Sequence, residues 1–248
     1  TVRTSDVAAL PREKFDWVYT RMRDTLERAN GEAWGFSALG KMESIQIARY
    51  DGAKGGHYTW HPDAVVANQY ESARSSDFGG QNRLLSASVQ LSGADAYSGG
   101  DVQIADANAT REIGAVVVFP SYQLHRVFPV TAGERWSLVV WLHGADGAGE
   151  YWNDARRSYR ALQRSAAPGL AMAALSTLAT VYSHLDRTAE SIPLYEQALA
   201  LDPSDPTVLS NQAEAYTRIG KDAGAIRVYA KALVAHPEQL WSLRGRGG

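Results

Sequence analysis

The sequence predicts an α+β fold in which a core of short strands, of the jelly-roll or barrel type, lies between an N-terminal helix and a C-terminal all-α region. Three observations predict this arrangement. Apolar residues recur at helical spacing near the N terminus, glycine-punctuated β-type runs begin at Ser44, and alanine-rich helical sequence follows Trp152. At 248 residues the chain is long enough for one large domain or two modest ones.

The first predicted element is a helix over residues 12–28. Charged and apolar positions alternate there at helical spacing. Five apolar side chains fall on one stripe: Phe15, Val18, Tyr19, Met22 and Leu26. We expect this stripe to cover a sheet.

Many short strands are predicted after this helix, because short β-type runs alternate there with turn residues, and four of the runs are named here. They are Ser44–Tyr50, Leu84–Leu91, Ala115–Phe119 and Trp136–Leu142. Hairpin-type turns at Gly99–Gly100 and Asn108–Gly114 indicate that the strands are antiparallel. The polar stretch between Asp63 and Gln81 is longer than an ordinary connection, and we expect it to be a lid.

The C-terminal region contains an internal repeat with a period of 34 residues. Tyr182, Tyr195, Ala198 and Pro203 recur as Tyr216, Tyr229, Ala232 and Pro237. This pattern resembles the tetratricopeptide family and predicts two antiparallel helix pairs. The first copy departs from the pattern at Leu185, where glycine is usual, and at Ser191, where alanine is usual.

Two complete repeats are fewer than the three that a repeat core normally needs. We therefore expect the array to be stabilised by contacts with the preceding domain, a partner, or residues outside this sequence. The expected organisation is a first domain over residues 1–150, a linker helix over 151–171 and a repeat region over 172–248.

Composition excludes several classes of site and partner. The formal net charge of -2 provides no basic field, which argues against nucleic acid as a partner. The chain has no cysteine, so a metal must be held by histidine and carboxylate. The sequence shows neither a membrane-spanning run nor a signal peptide, so we expect a cytoplasmic protein; a start at Thr1 rather than Met indicates a processed or trimmed chain.

Two imidazoles and one carboxylate form a candidate metal site. His61 and Asp63 flank Pro62, and side chains two apart on a strand point to the same face. His125 follows the third predicted strand and a turn, from where it can reach the same mouth. This donor set is the facial triad of non-heme Fe(II) oxygenases, which leaves three metal positions open.

An arginine follows at a spacing that suits a carboxylate ligand. Arg135 lies ten positions after His125, and Ser137 lies two residues further on the same strand face. A bidentate guanidinium binds a carboxylate better than an ammonium does. Together the two side chains could grip one end of a small diacid.

The run from Ile45 to His143 resembles the 2-oxoglutarate and Fe(II)-dependent dioxygenases, most closely the prolyl 4-hydroxylase branch. The motifs that carry the resemblance are Gly56 to Asp63, Leu85–Ser86, Tyr97 to Gly100, Gly114 to His125 and Gly133 to Arg135. The resemblance implies a double-stranded β-helix with iron on His61, Asp63 and His125. It also implies 2-oxoglutarate as co-substrate, its far carboxylate on Arg135, with ascorbate as a further candidate cofactor.

The resemblance extends to a tyrosine and to the type of reaction. Family members often carry a co-substrate-binding tyrosine at the place of Tyr50, although two extra residues here separate it from His61. Halogenating relatives lose the carboxylate ligand, so Asp63 favours hydroxylation. Collagen-type hydroxylases usually carry lysine at the place of Arg135, so their substrate choice cannot be carried over.

Other residues near the triad have two interpretations each. His57 could pair with His61 on a metal or be a bystander, and His143 is expected at the surface or in a hydrogen bond. Tyr58 and Trp60 could line a substrate pocket or pack in the core. Arg74 and Arg83 could orient an acidic substrate or be solvated.

The sequence therefore predicts a hydroxylase that acts on an amino-acid side chain in a peptide or protein, with prolyl as the leading candidate. In a second hypothesis the substrate is a small molecule, a free amino acid or a natural-product intermediate, and the repeats form a dimer or docking surface for a protein partner. A third hypothesis makes the chain a non-catalytic scaffold or sensor.

Overall fold

A computed structural model describes residues 2–36, 39–64, 82–144 and 150–235. The chain divides into one unit of Thr1–Ala155 and another of Arg156–Gly248. The predicted lid lies outside the described residues, apart from its first positions. Among the described helices, none combines the length and the apolar character that crossing a bilayer requires.

The first unit is built from short antiparallel strands that form two main sheets. The described strands are β1 (Arg3–Thr4), β2 (Asp6–Ala9), β3 (Leu39–Met42), β4 (Gln46–Asp51), β5 (His57–His61), β6 (Asn82–Gln90), β7 (Tyr97–Gly99), β8 (Val102–Ile104), β9 (Ala107–Asn108), β10 (Val116–Pro120), β11 (His125–Val127) and β12 (Val130–Gly144). One sheet has the order β1-β5-β11-β8-β9, and the other has β10-β6-β12-β4-β2 with β3 and β7 also paired to β12.

Side chains from both sheets pack into a shared core. Tyr50 and Ala48 of β4 meet Val127 of β11, together with Tyr97 and Val130. Residues that alternate along each strand thus place apolar side chains between the sheets. The predicted α+β class with a jelly-roll core and antiparallel strands is confirmed.

The two predicted hairpins are wrong. β7 pairs with β12 whereas β8 pairs with β11, so Gly99–Gly100 carries the chain between different pairings. The stretch 108–114 likewise joins β9, paired with β8, to β10, paired with β6. Gly99 has φ +69°, and a Cβ there would lie 2.3 Å from the Pro129 carbonyl oxygen, so glycine is required by close backbone approach.

Helix α1 (Arg12–Ala33) covers the sheet that contains β6 and β12, as the apolar stripe predicts. Tyr19, Met22 and Leu26 are buried against Leu85, Leu142 and neighbouring strand residues. Phe15 departs from the prediction because its backbone is non-helical, at φ -128° and ψ 28°, and its side chain is 36% exposed.

The Tyr19 hydroxyl joins helix to sheet. It donates to the Leu10 carbonyl oxygen at 2.7 Å and accepts from the Ile45 backbone N–H at 3.0 Å. Tyr19 is buried, so water cannot replace these bonds. The hydroxyl therefore fixes where β4 begins relative to the helix.

The described helices after the strands are α2 (Glu150–Leu162), α3 (Pro168–His184), α4 (Thr188–Leu201), α5 (Pro206–Arg218) and α6 (Asp222–Ala235). α3 packs against α4, and α5 packs against α6, as the repeat predicts. The two pairs share an apolar cluster in which Tyr195 and Ala198 of α4 meet Val208 and Ala215 of α5. The predicted tetratricopeptide-like helical region is confirmed.

The structure relocates one departure from the repeat pattern. Gly220 has φ +70°, and the residue 34 positions earlier with positive φ is Asp186, at +57°, whereas Leu185 has φ -85°. Aspartate tolerates this left-handed conformation better than most residues do. Ser191 is fully buried because its hydroxyl accepts from Ser183 at 2.9 Å and donates to the Thr188 carbonyl at 2.7 Å.

Replacing Tyr19 with Phe should lower the free energy of unfolding of the first unit by about 1–3 kcal/mol, because two buried backbone groups lose their partner. Urea unfolding followed by near-UV circular dichroism measures the change. The control is Thr20→Val on the same helix, which removes a hydroxyl that is exposed. Equal effects of the two substitutions would contradict a bridging role for Tyr19.

Candidate metal centre and co-substrate site

His61, Asp63 and His125 converge at the adjoining ends of two paired strands. β5 ends at His61, β11 begins at His125, and the two residues are register partners. Their ring centroids are 4.1 Å apart. Nε2 of His61 lies 3.9 Å from Asp63 Oδ1, and Nε2 of His125 lies 3.4 Å from Asp63 Oδ2. Within the described residues, this is the one group of three such side chains with donor atoms all within 4.8 Å.

Each imidazole is oriented by the backbone carbonyl of the residue two positions earlier in the chain. Nδ1 of His61 lies 2.7 Å from the Thr59 carbonyl oxygen, and Nδ1 of His125 lies 3.0 Å from that of Gln123. A carbonyl oxygen only accepts, so each Nδ1 carries the proton and each Nε2 keeps a free lone pair. Both lone pairs are thus available to a metal, in the manner usual for histidine ligands.

Electrostatics favour the protonation states that bind metals. Burial first, and then the nearby His125, lower the pKa of His61 to about 3, against the opposing effect of Asp63. His61 is therefore neutral at physiological pH. Burial alone would raise the pKa of Asp63, but His125, His61 and Arg83 together lower it. Asp63 is therefore ionised.

The chain segment around Asp63 is fixed by backbone hydrogen bonds. The N–H groups of Asp63 and Ala64 both donate to the Ser121 carbonyl oxygen, at 2.8 and 2.7 Å. The Ser121 hydroxyl in turn lies 2.8 Å from that of Ser86 on β6. Both serines are fully buried, so the carboxylate is held by rigid structure.

A β-bulge decides which aromatic side chain adjoins the triad. β11 advances two residues from His125 to Val127, while β5 advances three between their partners, His61 and Tyr58. The extra residue places Tyr58 and His61 on one face, and their rings stack with centroids 3.4 Å apart. Trp60 instead lies against Arg126, whose Cζ is 4.6 Å from its ring.

Arg135 is a buried cation without an anionic partner in the described part of the chain. It is 2% exposed, and no described carboxylate lies within 4 Å of it. Its Nη1 is 3.4 Å from the Ser137 hydroxyl, and its Cζ is 5.6 Å from the ring of its register partner, Tyr50. Burial lowers the pKa of Arg135, partly opposed by Tyr50 and Tyr97, but guanidinium remains charged in proteins. Such a buried charge requires a compensating anion.

The structure corrects the expectation for Arg83. Its Nε and Nη2 donate to the two carboxylate oxygens of Glu43, at 2.5 and 2.9 Å, and its Cζ lies 3.9 Å from the Trp141 ring. His143 is buried, and its Nε2 lies 2.6 Å from Glu43. Arg83 is thus not free to bind a substrate, because Glu43, 40 residues earlier in the sequence, already neutralises it.

The remaining candidates lie apart from the triad or outside the described residues. Nδ1 of His57 is 2.8 Å from the Gly55 carbonyl oxygen, and His57 does not belong to the group of converging donors. Arg74 lies outside the described residues. Sequence reasoning missed Glu43, which has no local motif, and Arg3, which comes beside Tyr58 only through strand pairing.

Comparison with known proteins finds a family model that matches each region. Residues 45–143 match the family model described as 2OG-Fe(II) oxygenase superfamily, and residues 145–206 and 176–239 match that described as tetratricopeptide repeat. The matched regions are those whose sequences resemble the two families, so both resemblances are confirmed.

Relatives and solved structures with similar regions are named hydroxylases. A PKHD-type hydroxylase of Shewanella oneidensis is 38% identical over 98 residues, which cover 38% of this chain and 40% of that protein. The chain thus spans about two fifths of the length of the curated relatives it matches. A Pseudomonas putida prolyl-4-hydroxylase structure is similar at a TM-score of 0.44 and 22% identity, covering 58% of this chain and 73% of that one. The structure of a viral collagen prolyl hydroxylase from Paramecium Bursaria Chlorella virus-1, in a 2OG complex, is similar at a TM-score of 0.45 and 18% identity. The match covers 56% of this chain and 79% of that one.

Replacing His125 with Ala removes one of three converging donors. The affinity of the His125→Ala variant for Fe(II) or Mn(II) should fall by more than roughly 10- to 100-fold, the loss typical of removing a residue that only hydrogen-bonds a metal ligand. Anaerobic calorimetric titration measures this. The matched control is His57→Gln, which should bind metal as the parent protein does. Loss of affinity in the control would show that His57 is a ligand.

Proposed function

We propose that this chain is an Fe(II)- and 2-oxoglutarate-dependent dioxygenase that hydroxylates an amino-acid side chain in a peptide or protein, with prolyl as the leading candidate. The observation that carries the proposal is a His-Asp-His triad in the same core as a buried arginine without a carboxylate partner among the described residues. The triad suits the metal, and the arginine suits a diacid.

The donor set fits Fe(II). Two imidazoles and one ionised carboxylate, all from one side, match the facial arrangement that leaves three positions for co-substrate and oxygen. Fe(II) bound there with 2-oxoglutarate supplies oxidative decarboxylation to succinate coupled to hydroxylation of a substrate C–H bond. Asp63 remains a ligand in this scheme, which favours hydroxylation over halogenation.

The residues beyond the triad bind and orient the co-substrate. Arg135 neutralises the far carboxylate of 2-oxoglutarate, and the Ser137 hydroxyl lies beside the same guanidinium. Burial, as the largest effect, raises the pKa of Tyr50, so its hydroxyl stays protonated and can donate a hydrogen bond to the bound diacid. These contacts hold the 2-oxo acid end towards the metal.

The choice of substrate is supported by the sequence resemblance and by the names of relatives, which are hydroxylases. The repeats would serve as a docking surface for a protein partner or for a second copy of the chain. A free amino acid, the second hypothesis, would use the same triad and co-substrate.

Substitution of Arg135 tests the co-substrate anchor. Arg135→Gln should raise the KM for 2-oxoglutarate about 10- to 100-fold, because a charge-assisted, bidentate contact is lost. The KM of Arg135→Lys should lie between those of the parent protein and Arg135→Gln, since lysine keeps the charge but cannot make the bidentate contact. Initial rates of succinate release at varied 2-oxoglutarate measure both variants. An unchanged KM in Arg135→Gln would contradict the assignment.

The activity itself is tested by succinate formation with Fe(II), ascorbate and oxygen, in the presence of proline-containing peptide libraries or free amino acids. Stimulation by peptides but not by free amino acids is the expected result. The reverse pattern would support the free amino acid substrate. No succinate under any condition, in the parent protein as in His125→Ala, would support a non-catalytic scaffold.

A further inference from the structure

A second arginine that has no carboxylate partner among the described residues lies near the triad. Arg3 on β1 is the register partner of Tyr58 on β5. Its Cζ lies 4.9 Å from the Tyr58 ring, and that ring stacks on His61 at 3.4 Å. The two distances place the Arg3 charge within about 8 Å of the His61 ring, a range over which charges still interact.

The polar neighbours of Arg3 are neutral. Its Nε donates to the Ser5 hydroxyl at 2.6 Å, and no carboxylate in the described part of the chain lies within 4 Å of its guanidinium. Arg3 also lowers the pKa of Tyr50, through its charge and a side-chain hydrogen bond, against the larger, opposing effect of burial, so Arg3 lies beside that hydroxyl. Arg3 itself is partly buried.

Other cations near Arg3 are already neutralised. Arg49 is ion-paired with Asp6, Asp51 and Glu134, and Lys54 lies 3.6 Å from Asp6. A cavity of about 320 Å³ is lined by Arg3 together with Arg49, Lys54, Asp6 and Asp51. That volume is in the range of small-ligand sites. Arg3 is thus the cation of this cavity whose charge the described residues leave unbalanced.

From this geometry we infer that Arg3 binds a carboxylate of the substrate and thereby selects acidic substrates. The inference rests on the proposed function and names the substrate class of the same site. The carboxylate would be either the free main-chain group of an amino acid or an acidic side chain next to the target residue in a peptide. Arg135 is committed to the co-substrate, so Arg3 is free for this second anion.

The two arginines lie at different depths in the fold, which suits them to different ligands. Arg135 is 2% exposed and lies on β12 beside Tyr50, whereas Arg3 is partly buried on the edge strand β1 beside Tyr58. The deeper cation suits a small co-substrate that enters first. The shallower one suits a group on a substrate that enters afterwards.

Paired probes that differ by one charge test the inference. The probes are L-proline with L-prolinamide, and N-acetyl-Pro-Glu-amide with N-acetyl-Pro-Gln-amide. Binding to the full-length protein loaded with Mn(II) and 2-oxoglutarate is measured by calorimetry, and KM and kcat are measured by succinate release. One or both acids should bind at least about 10-fold better than the matched amide, and the acid that does so identifies the source of the carboxylate.

Arg3→Gln should abolish this preference. Its affinity for the acid should fall by about 10- to 100-fold, and its affinity for the amide should not fall. The KM for 2-oxoglutarate should change far less than in Arg135→Gln, since Arg3 reaches the co-substrate only through Tyr50. Arg3→Lys should retain part of the preference and shows that the fold tolerates substitution. Lys54→Gln, which removes a nearby paired cation, is the matched control and should behave as the parent protein.

Three outcomes would overturn the inference: neither acid binds, acids and amides bind equally, or Arg3→Gln raises the KM for 2-oxoglutarate as much as Arg135→Gln does and leaves the preference for acids unchanged. Binding that discriminates the acid through Arg3 without any succinate release would support the inference while rejecting the proposed function. The two claims are therefore distinguishable.

Discussion

The pairing of β5 with β11 is the constraint on which the rest of the site depends. It sets His61 opposite His125, and the one-residue bulge beside that pair turns the Tyr58 ring onto His61. The backbone carbonyl of the residue two positions earlier holds each imidazole, so the local backbone fixes the tautomers. Asp63 completes the group because its backbone is bonded to Ser121, just before β11.

Charge balance separates the arginines of this unit by role. Arg83 and Arg49 are neutralised by carboxylates of the chain, so they stabilise structure. Arg135 and Arg3 have no such partner among the described residues, although one is buried and the other partly so. An unbalanced cation inside a folded core is costly unless a ligand supplies the anion. This cost applies in full to Arg135, which is 2% exposed, and more weakly to Arg3, which is partly buried.

Much of the site could be predicted from local sequence. The spacing of His61 and Asp63 and the position of Arg135 relative to His125 depend on strand periodicity, which a sequence displays directly. The bulge could not be predicted, because it is a mismatch between two strands more than sixty residues apart. The pairing of Arg83 with Glu43 across 40 residues and the approach of Arg3 to Tyr58 are likewise long-range. The glycines at 99 and 100 led to a wrong prediction of a hairpin. Their positive φ also occurs where the chain passes from one strand pairing to another.

The central claim is that one core holds a metal on the triad and a diacid on Arg135. A crystal structure of the protein grown with Mn(II) and 2-oxoglutarate under anaerobic conditions tests it most directly. We expect the metal between His61, Asp63 and His125, with the far carboxylate of 2-oxoglutarate within hydrogen-bond distance of the Arg135 guanidinium. A metal bound by other side chains, or a diacid whose far carboxylate lies away from Arg135, would contradict the account.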